Sequence, residues 1–188
     1  MKQSITLIIS GSIAAIKAPE LIHQLRENDI DVRCIVTNGG AKFVSVKEIE
    51  AVSGHPVSTD LFATEEMREM WHIRFSRETD LVVVAPASAD LIAKMAHGVA
   101  DDMASATLLA NNKRLLVAPA MNTQMWIHPA TQRNVAQIMA DGATIIEPGV
   151  GMLACGEVGA GRMAEPEAIV KTVKALLENQ HALQGKKA

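Results

Sequence analysis

Leu81-Val82-Val83-Val84-Ala85, followed by Pro86-Ala87-Ser88-Ala89-Asp90, is the stretch on which the fold turns. Consecutive aliphatic residues, largely β-branched and without polar alternation, suit a strand buried on both faces, as in a parallel sheet covered by helices. The strand stops at Pro86. A helix then runs through residues 91–96, with Ser88 or Asp90 placed to cap its start and Gly98 to break it.

Upstream, residues 4–10 are another β-rich run, and Gly11-Ser12 turns into a stripe of Ile13, Ile16, Leu21, Ile22 and Leu25. This reads as one helix over 13–26, bent by Pro19. Residues 31–37 supply the next strand and complete a right-handed βαβ unit. Asn38-Gly39-Gly40 is a loop, a helix covers about 45–52 and ends at Ser53-Gly54, and helical character returns near Met67 to Ile73. Downstream, Asp101-Asp102 opens a helix through Leu109, residues 113–118 form a strand, and 119–126 a loop. A helix over 129–140, a short strand at 143–146 and a helix over 166–177 complete the chain. Such alternation predicts an α/β fold, a three-layer, doubly wound, mainly parallel sheet of the Rossmann-like or flavodoxin-like kind, forming one domain over residues 1–188.

With 188 residues, 48% hydrophobic and 21% charged, the chain can bury one good core. A net charge of −3, and no basic run before Lys186-Lys187, argue against nucleic acid as a partner. Aromatic residues are only 3%, with no Tyr and ten Met, so the core is expected to be filled by aliphatics and Met. The first apolar run is far shorter than a membrane span or a signal peptide core. Cys34 and Cys155 have neither CxxC nor His-rich spacing, so no metal site is expected. Two isolated thiols suit a reducing cytoplasm.

Ligands on open α/β sheets bind beyond the carboxyl ends of the strands, and four such ends are chemically loaded. Ser10-Gly11-Ser12 either receives an anion or is simply a tight turn; with one glycine it is no dinucleotide fingerprint. Thr37 either donates to the same anion or caps its own loop, and Ser88 either caps its helix or meets a ring edge. Phe43 reads as core in preference to a cofactor stacker. Pro119-Ala120-Met121-Asn122-Thr123-Gln124-Met125-Trp126 places large apolar side chains and a short amide where a pocket wall would be. His72 stands before a charged stretch, as a structural or a catalytic histidine. Five glycines between Pro148 and Met163 make a mobile loop, a lid over 148–165, on which Cys155 is either an incidental thiol or a group that delivers a proton.

Taken together, Ser10 to Ala15 with Lys17, Ala51 to Val57, His72-Ile73, Ala85 to Ala93, the PxMNxxMW stretch and Ala154-Cys155-Gly156 through Met163 resemble the homo-oligomeric, flavin-containing cysteine decarboxylases. The resemblance covers nearly the whole chain. Ile16 departs from it, standing where many relatives have an aromatic residue. It implies FMN, with Gly11, Ser12, Thr37, Phe43, Ser88 and Ala120 around it, and a substrate held by Asn122, Met125 and Arg162. Catalysis is implied for His72 beside the flavin, for Asn122 on the substrate carboxylate and for Cys155 as acid.

The implied substrate is 4'-phosphopantothenoylcysteine, converted to 4'-phosphopantetheine in coenzyme A biosynthesis. In the mechanism the resemblance implies, the flavin would oxidise its thiol to a thioaldehyde, CO₂ would depart to leave an enethiolate, and protonation and hydride return would follow. A peptidyl-cysteine decarboxylase of the lantibiotic type and a non-catalytic FMN-binding regulatory subunit are the competing expectations. Self-association as a trimer, or a dodecamer of trimers, is implied as well. The family's ligase activity has no room in this length, which leaves a free-standing decarboxylase or one domain of a longer protein.

Overall fold

The computed structural model describes residues 3–59 and 78–184. Five strands form one sheet: β1 (Ser4–Ile9), β2 (Asp31–Val36), β3 (Leu81–Ala87), β4 (Arg114–Pro119) and β5 (Thr144–Ile145). Their order is β2-β1-β3-β4-β5, and every pairing is parallel. This is the flavodoxin-like order. All seven residues of β3, the central strand, are buried, as an unbroken aliphatic run demands.

Side chains alternate between the two faces of the sheet. Leu7, Val83 and Leu116 join one core, beneath α1 (Ala18–Glu27), α2 (Val46–Ser53) and α7 (Pro166–Gln184). Ile8, Val82, Val84 and Val117 join the other, beneath α3 (Ala89–His97), α4 (Met103–Leu109) and α6 (Pro129–Ala140). Ser88 caps α3, and Gly54 and Gly98 end α2 and α3 in left-handed conformations, as their positions predict.

Four expectations need correction. The helix expected over 13–26 is broken: Ile13–Lys17 is a 3-10 turn, and α1 starts only at Ala18, with Pro19 in its first turn. Proline has no N–H to donate inside a helix but leaves nothing unsatisfied at its start. Ile13 and Ile16 therefore fall off the core stripe and are 49% and 60% exposed. The loop expected at 119–126 contains a short helix, α5 (Thr123–Ile127), and the glycine-rich loop is a hairpin of β6 (Gly149–Met152) and β7 (Val158–Arg162). Methionine also contributes less to the core than expected: Met103 and Met163 are buried, whereas Met125, Met139 and Met152 are exposed. The helical character expected near Met67 to Ile73 lies outside the described residues.

At the start of α4, Asp102 and Ser105 form a reciprocal capping box, and the Lys94 ammonium lies 2.9 Å from Asp101 and 3.0 Å from Asp102. Burial pushes the Asp102 carboxyl up, but hydrogen bonds from the Ser105 N–H, the Lys94 ammonium and the Ser105 hydroxyl outweigh it, leaving the group below its ordinary range. A carboxyl lowered in the folded state contributes its full stability above the unfolded value, about pH 4, and loses it as pH falls from there through the lower folded value. Asp102→Ala is expected to lose about 1–2 kcal/mol at neutral pH. The gap to the parent should narrow below about pH 4, as urea unfolding at a series of pH values would show.

Candidate active site

In this order the chain runs outward from β1 to β2 and then crosses to β3, so the loops after β1 and β3 diverge and leave a crevice. Ser10 fastens the crevice at its base. Its N–H and hydroxyl both donate to the Pro86 carbonyl, at 3.2 and 2.7 Å, and its hydroxyl oxygen accepts from the Ser88 N–H at 2.8 Å.

A cavity of about 640 Å³ opens here. Ser12, Ser88 and Ala120 line its base, and Ile13, Ile16, Phe43, Met121 and Met125 give it apolar walls. The hairpin closes one side with Met152, Cys155 and Arg162. A second cavity of about 500 Å³ shares Gly11, Ser88, Ala89 and Met125 with the first and extends to Thr37 and Asn38. A smaller one, about 230 Å³, lies among α3, α4 and α6, away from every loaded loop.

The three hydroxyls are local caps: Ser12 accepts from the Ala14 N–H, Thr37 from Gly40 and Ser88 from Leu91. Accepting does not use their hydrogens, which remain available to donate to an anion or a ring edge. Capping and ligand binding are thus compatible. Phe43, expected in the core, is 41% exposed on the cavity wall, because it follows the short 3-10 turn Gly40–Lys42 that carries it off the sheet.

Asn122 is fixed at both ends of its amide. Its Oδ1 accepts from the backbone N–H groups of Gln124 and Met125, at 2.8 and 3.4 Å, and so caps α5. Since only the oxygen can accept those bonds, Nδ2 must face the hairpin. There it donates to Glu157 Oε2 at 2.6 Å and meets Cys155 Sγ at 3.6 Å. Two of the three residues expected to be catalytic therefore touch across 33 positions of chain. His72 lies outside the described residues.

The hairpin sits on 121–123 through glycine. The Met121 N–H donates to the Gly161 carbonyl at 3.0 Å, Gly161 has φ 138°, and a Cβ there would strike the Met121 carbonyl. A Cβ on Gly159 would lie 2.5 Å from Thr123 Oγ1. Arg162 and Lys17 stand at the rim, sharing Glu165: Nη2 to Oε1 is 3.1 Å and Nζ to Oε2 is 2.6 Å. The two thiols differ sharply. Cys34 is buried in β2, where burial, partly offset by a hydrogen bond with Ser53, pushes it up to about 12; Cys155 is exposed. Sequence reasoning missed Glu157, Met152 and Met163 at or beside the site; hairpin pairing brings the first two there, and no local pattern signals it.

Fold and site together define a flavodoxin-like α/β domain with a ligand crevice at its topological switch point. Residues 1–178 match the model of the Flavoprotein family, and the chain belongs to that family. It is 46% identical, over 93% of its length, to the coenzyme A biosynthesis bifunctional protein CoaBC of Mycobacterium tuberculosis, of which it spans only 41%. It also resembles a solved PPC decarboxylase, a Cys-to-Ser variant complexed with pantothenoylaminoethenethiol. That likeness has TM-score 0.81 and 34% identity, covering 95% of this chain and all of the other. The FMN-dependent cysteine decarboxylase SpaF is similar too, with TM-score 0.79 and 30% identity, covering 94% of this chain and 95% of the other. Among the described residues no helix is long and apolar enough to cross a membrane.

Gly161→Ala should unseat the hairpin while leaving the sheet intact, because its Cβ meets a carbonyl at a backbone angle L-residues avoid. Hydrogen exchange should quicken at the amides of 149–162 and stay unchanged in β1, β3 and β4.

Proposed function

We propose that this chain is an FMN-dependent decarboxylase that converts 4'-phosphopantothenoylcysteine to 4'-phosphopantetheine. The observation that carries the reading is the contact of Asn122 Nδ2 with Cys155 Sγ over an apolar cavity. It puts a carboxylate donor and a proton source within one substrate's reach. The names of the related proteins point the same way: a coenzyme A biosynthesis protein, a PPC decarboxylase and an FMN-dependent cysteine decarboxylase.

The residues fit FMN. A flat apolar ring system suits walls of Ile13, Ile16, Phe43 and Ala120, and a phosphate suits the free hydroxyl hydrogens of Ser12, Thr37 and Ser88 near the glycine turn at Gly11. When bound, the flavin supplies reversible hydride transfer, which turns the substrate's thiol carbon into a thioaldehyde and later restores it. The protein's own part is orientation and proton handling. Asn122 Nδ2 holds the substrate carboxylate without neutralising it, so the electron pair is free to move toward the thioaldehyde as CO₂ leaves. Cys155 then delivers a proton to the enethiolate carbon. Met125 packs on the substrate, Arg162 at the rim answers its negative charge, and His72 works beside the flavin.

Residues 1–188 act as one decarboxylase domain, with 148–165 as the substrate lid. Exposed apolar side chains at the cavity mouth, among them Ile13, Ile16, Phe43 and Met125, favour self-association, as a trimer or a dodecamer of trimers, with a second copy completing the site. The unpaired thiols suit the reducing cytoplasm.

The purified protein is expected to be yellow and to release CO₂ from phosphopantothenoylcysteine faster than from a Cys-terminal peptide; flavin binding without CO₂ release from either would refute the reading. Cys155→Ser should still decarboxylate but accumulate the unsaturated enethiol, identified by its mass. Asn122→Asp keeps the α5 cap but replaces the donor with a negative charge, so kcat/KM should fall by about 100-fold. Its unfolding midpoint should not move. Mass measurement in solution tests the assembly, and a monomer would remove the shared-site arrangement.

A further inference from the structure

Glu157 stands in the turn between β6 and β7, its backbone held within the turn and its side chain held through one hydrogen bond to Asn122. Its carbonyl accepts from the Leu153 N–H at 2.8 Å, and the Gly156 N–H donates to the Leu153 carbonyl at 2.9 Å. The carboxylate is exposed, and among the described residues it has no cationic partner. Its bond is to Asn122 Nδ2, at the short distance of a charge-assisted hydrogen bond. Capping of α5 points that same Nδ2 toward the hairpin and away from the helix, so Asn122 cannot rotate to offer the donor elsewhere without giving up two backbone bonds.

We infer that Glu157 is an internal rival of the substrate's carboxylate: it occupies the Asn122 donor until a carboxylate-bearing ligand displaces it, and returns once decarboxylation has removed that group. The inference rests on Asn122 being the substrate's carboxylate grip. Of the two Nδ2 hydrogens one goes to Glu157 and the other faces Cys155 Sγ, and a second carboxylate on the same nitrogen would stand within a few ångströms of Glu157, where like charges repel, so the two compete. Glu157 can leave cheaply because water already reaches it. The substrate and its product differ by the one group for which Glu157 competes. Glu157 therefore lowers affinity for ligands that carry a carboxylate and is indifferent to ligands that lack it, which makes it a specificity-determining residue of the site.

The test compares two unreactive probes, S-methylated 4'-phosphopantothenoylcysteine and S-methylated 4'-phosphopantetheine, whose only difference is the carboxylate. Binding to the flavin-loaded full chain is measured by calorimetry. Glu157→Ala should tighten the carboxylate probe by roughly three- to tenfold, the net size of one ordinary water-exposed hydrogen bond, and leave the other probe unchanged. Glu157→Gln, which keeps an acceptor but loses the charge, should fall between. Equal changes for both probes, or no tightening of the carboxylate probe, would overturn the inference. Asn122→Asp separates this from the reading beneath it. If that variant binds the carboxylate probe as well as the parent does, Asn122 is not the grip; if it binds poorly and Glu157→Ala changes nothing, only the role of Glu157 falls.

Discussion

All five strands of the sheet point the same way, and the rest of the molecule depends on that constraint. A parallel sheet needs helices on both faces, so its central strand must be aliphatic throughout, as β3 is. It also gathers every strand's carboxyl end at one edge. The order β2-β1-β3 then makes the chain diverge after β1 and β3, and Ser10 ties the two strand ends together at the fork. The crevice is a consequence of topology, and the loops only furnish it.

What was legible in the sequence follows from this. Strand β3 announces itself because burial on two faces leaves no room for polar alternation, and β1, β2 and β4 by the apolar runs of their carboxyl halves. Helix ends at Ser88, Gly54 and Gly98 are legible because capping is local chemistry, decided by residues within a turn of each other. Local pattern failed where position in the fold decides. Ile13 and Ile16 have helical spacing with Leu21 and Leu25, but Pro19 resets the helix phase at Ala18 and turns them toward the crevice. The glycines of 149–161 suggest an irregular loop, yet Gly159 and Gly161 are where a hairpin presses on the Thr123 side chain and the Met121 carbonyl and has no room for a Cβ.

The candidate site divides along the same line. Asn122 and Cys155 could be singled out one at a time, as an amide and a thiol on loops beyond strand ends. Their contact depends on the register of β6 and β7, which no spacing encodes. Glu157 illustrates the limit: an exposed carboxylate in a turn looks like a solubilising charge until the hairpin is folded and its partner is seen to be Asn122. The methionines were misread for a related reason. Met139 and Met152 are apolar enough to be assigned to a core but are exposed, Met152 on the wall of the cavity, where Met125 stands as expected.

The halves of the site also differ in how firmly they are held. Asn122 is anchored through α5 to Trp126, whose carbonyl accepts from Gln132 of α6, and so to one of the two cores. The hairpin opposite has Val150, Met152 and Val158 exposed and rests on 121–123 through one backbone hydrogen bond, two glycine contacts and the contacts of Asn122 Nδ2 with Cys155 and Glu157. A segment with so little buried apolar surface opens at far lower free energy than the sheet does. A rigid amide therefore faces a thiol and a carboxylate carried on the part of the fold that is cheapest to move. In the proposed reaction the acid is needed only after the carboxylate held by Asn122 has gone, and a thiol on such a part can approach once that group has left.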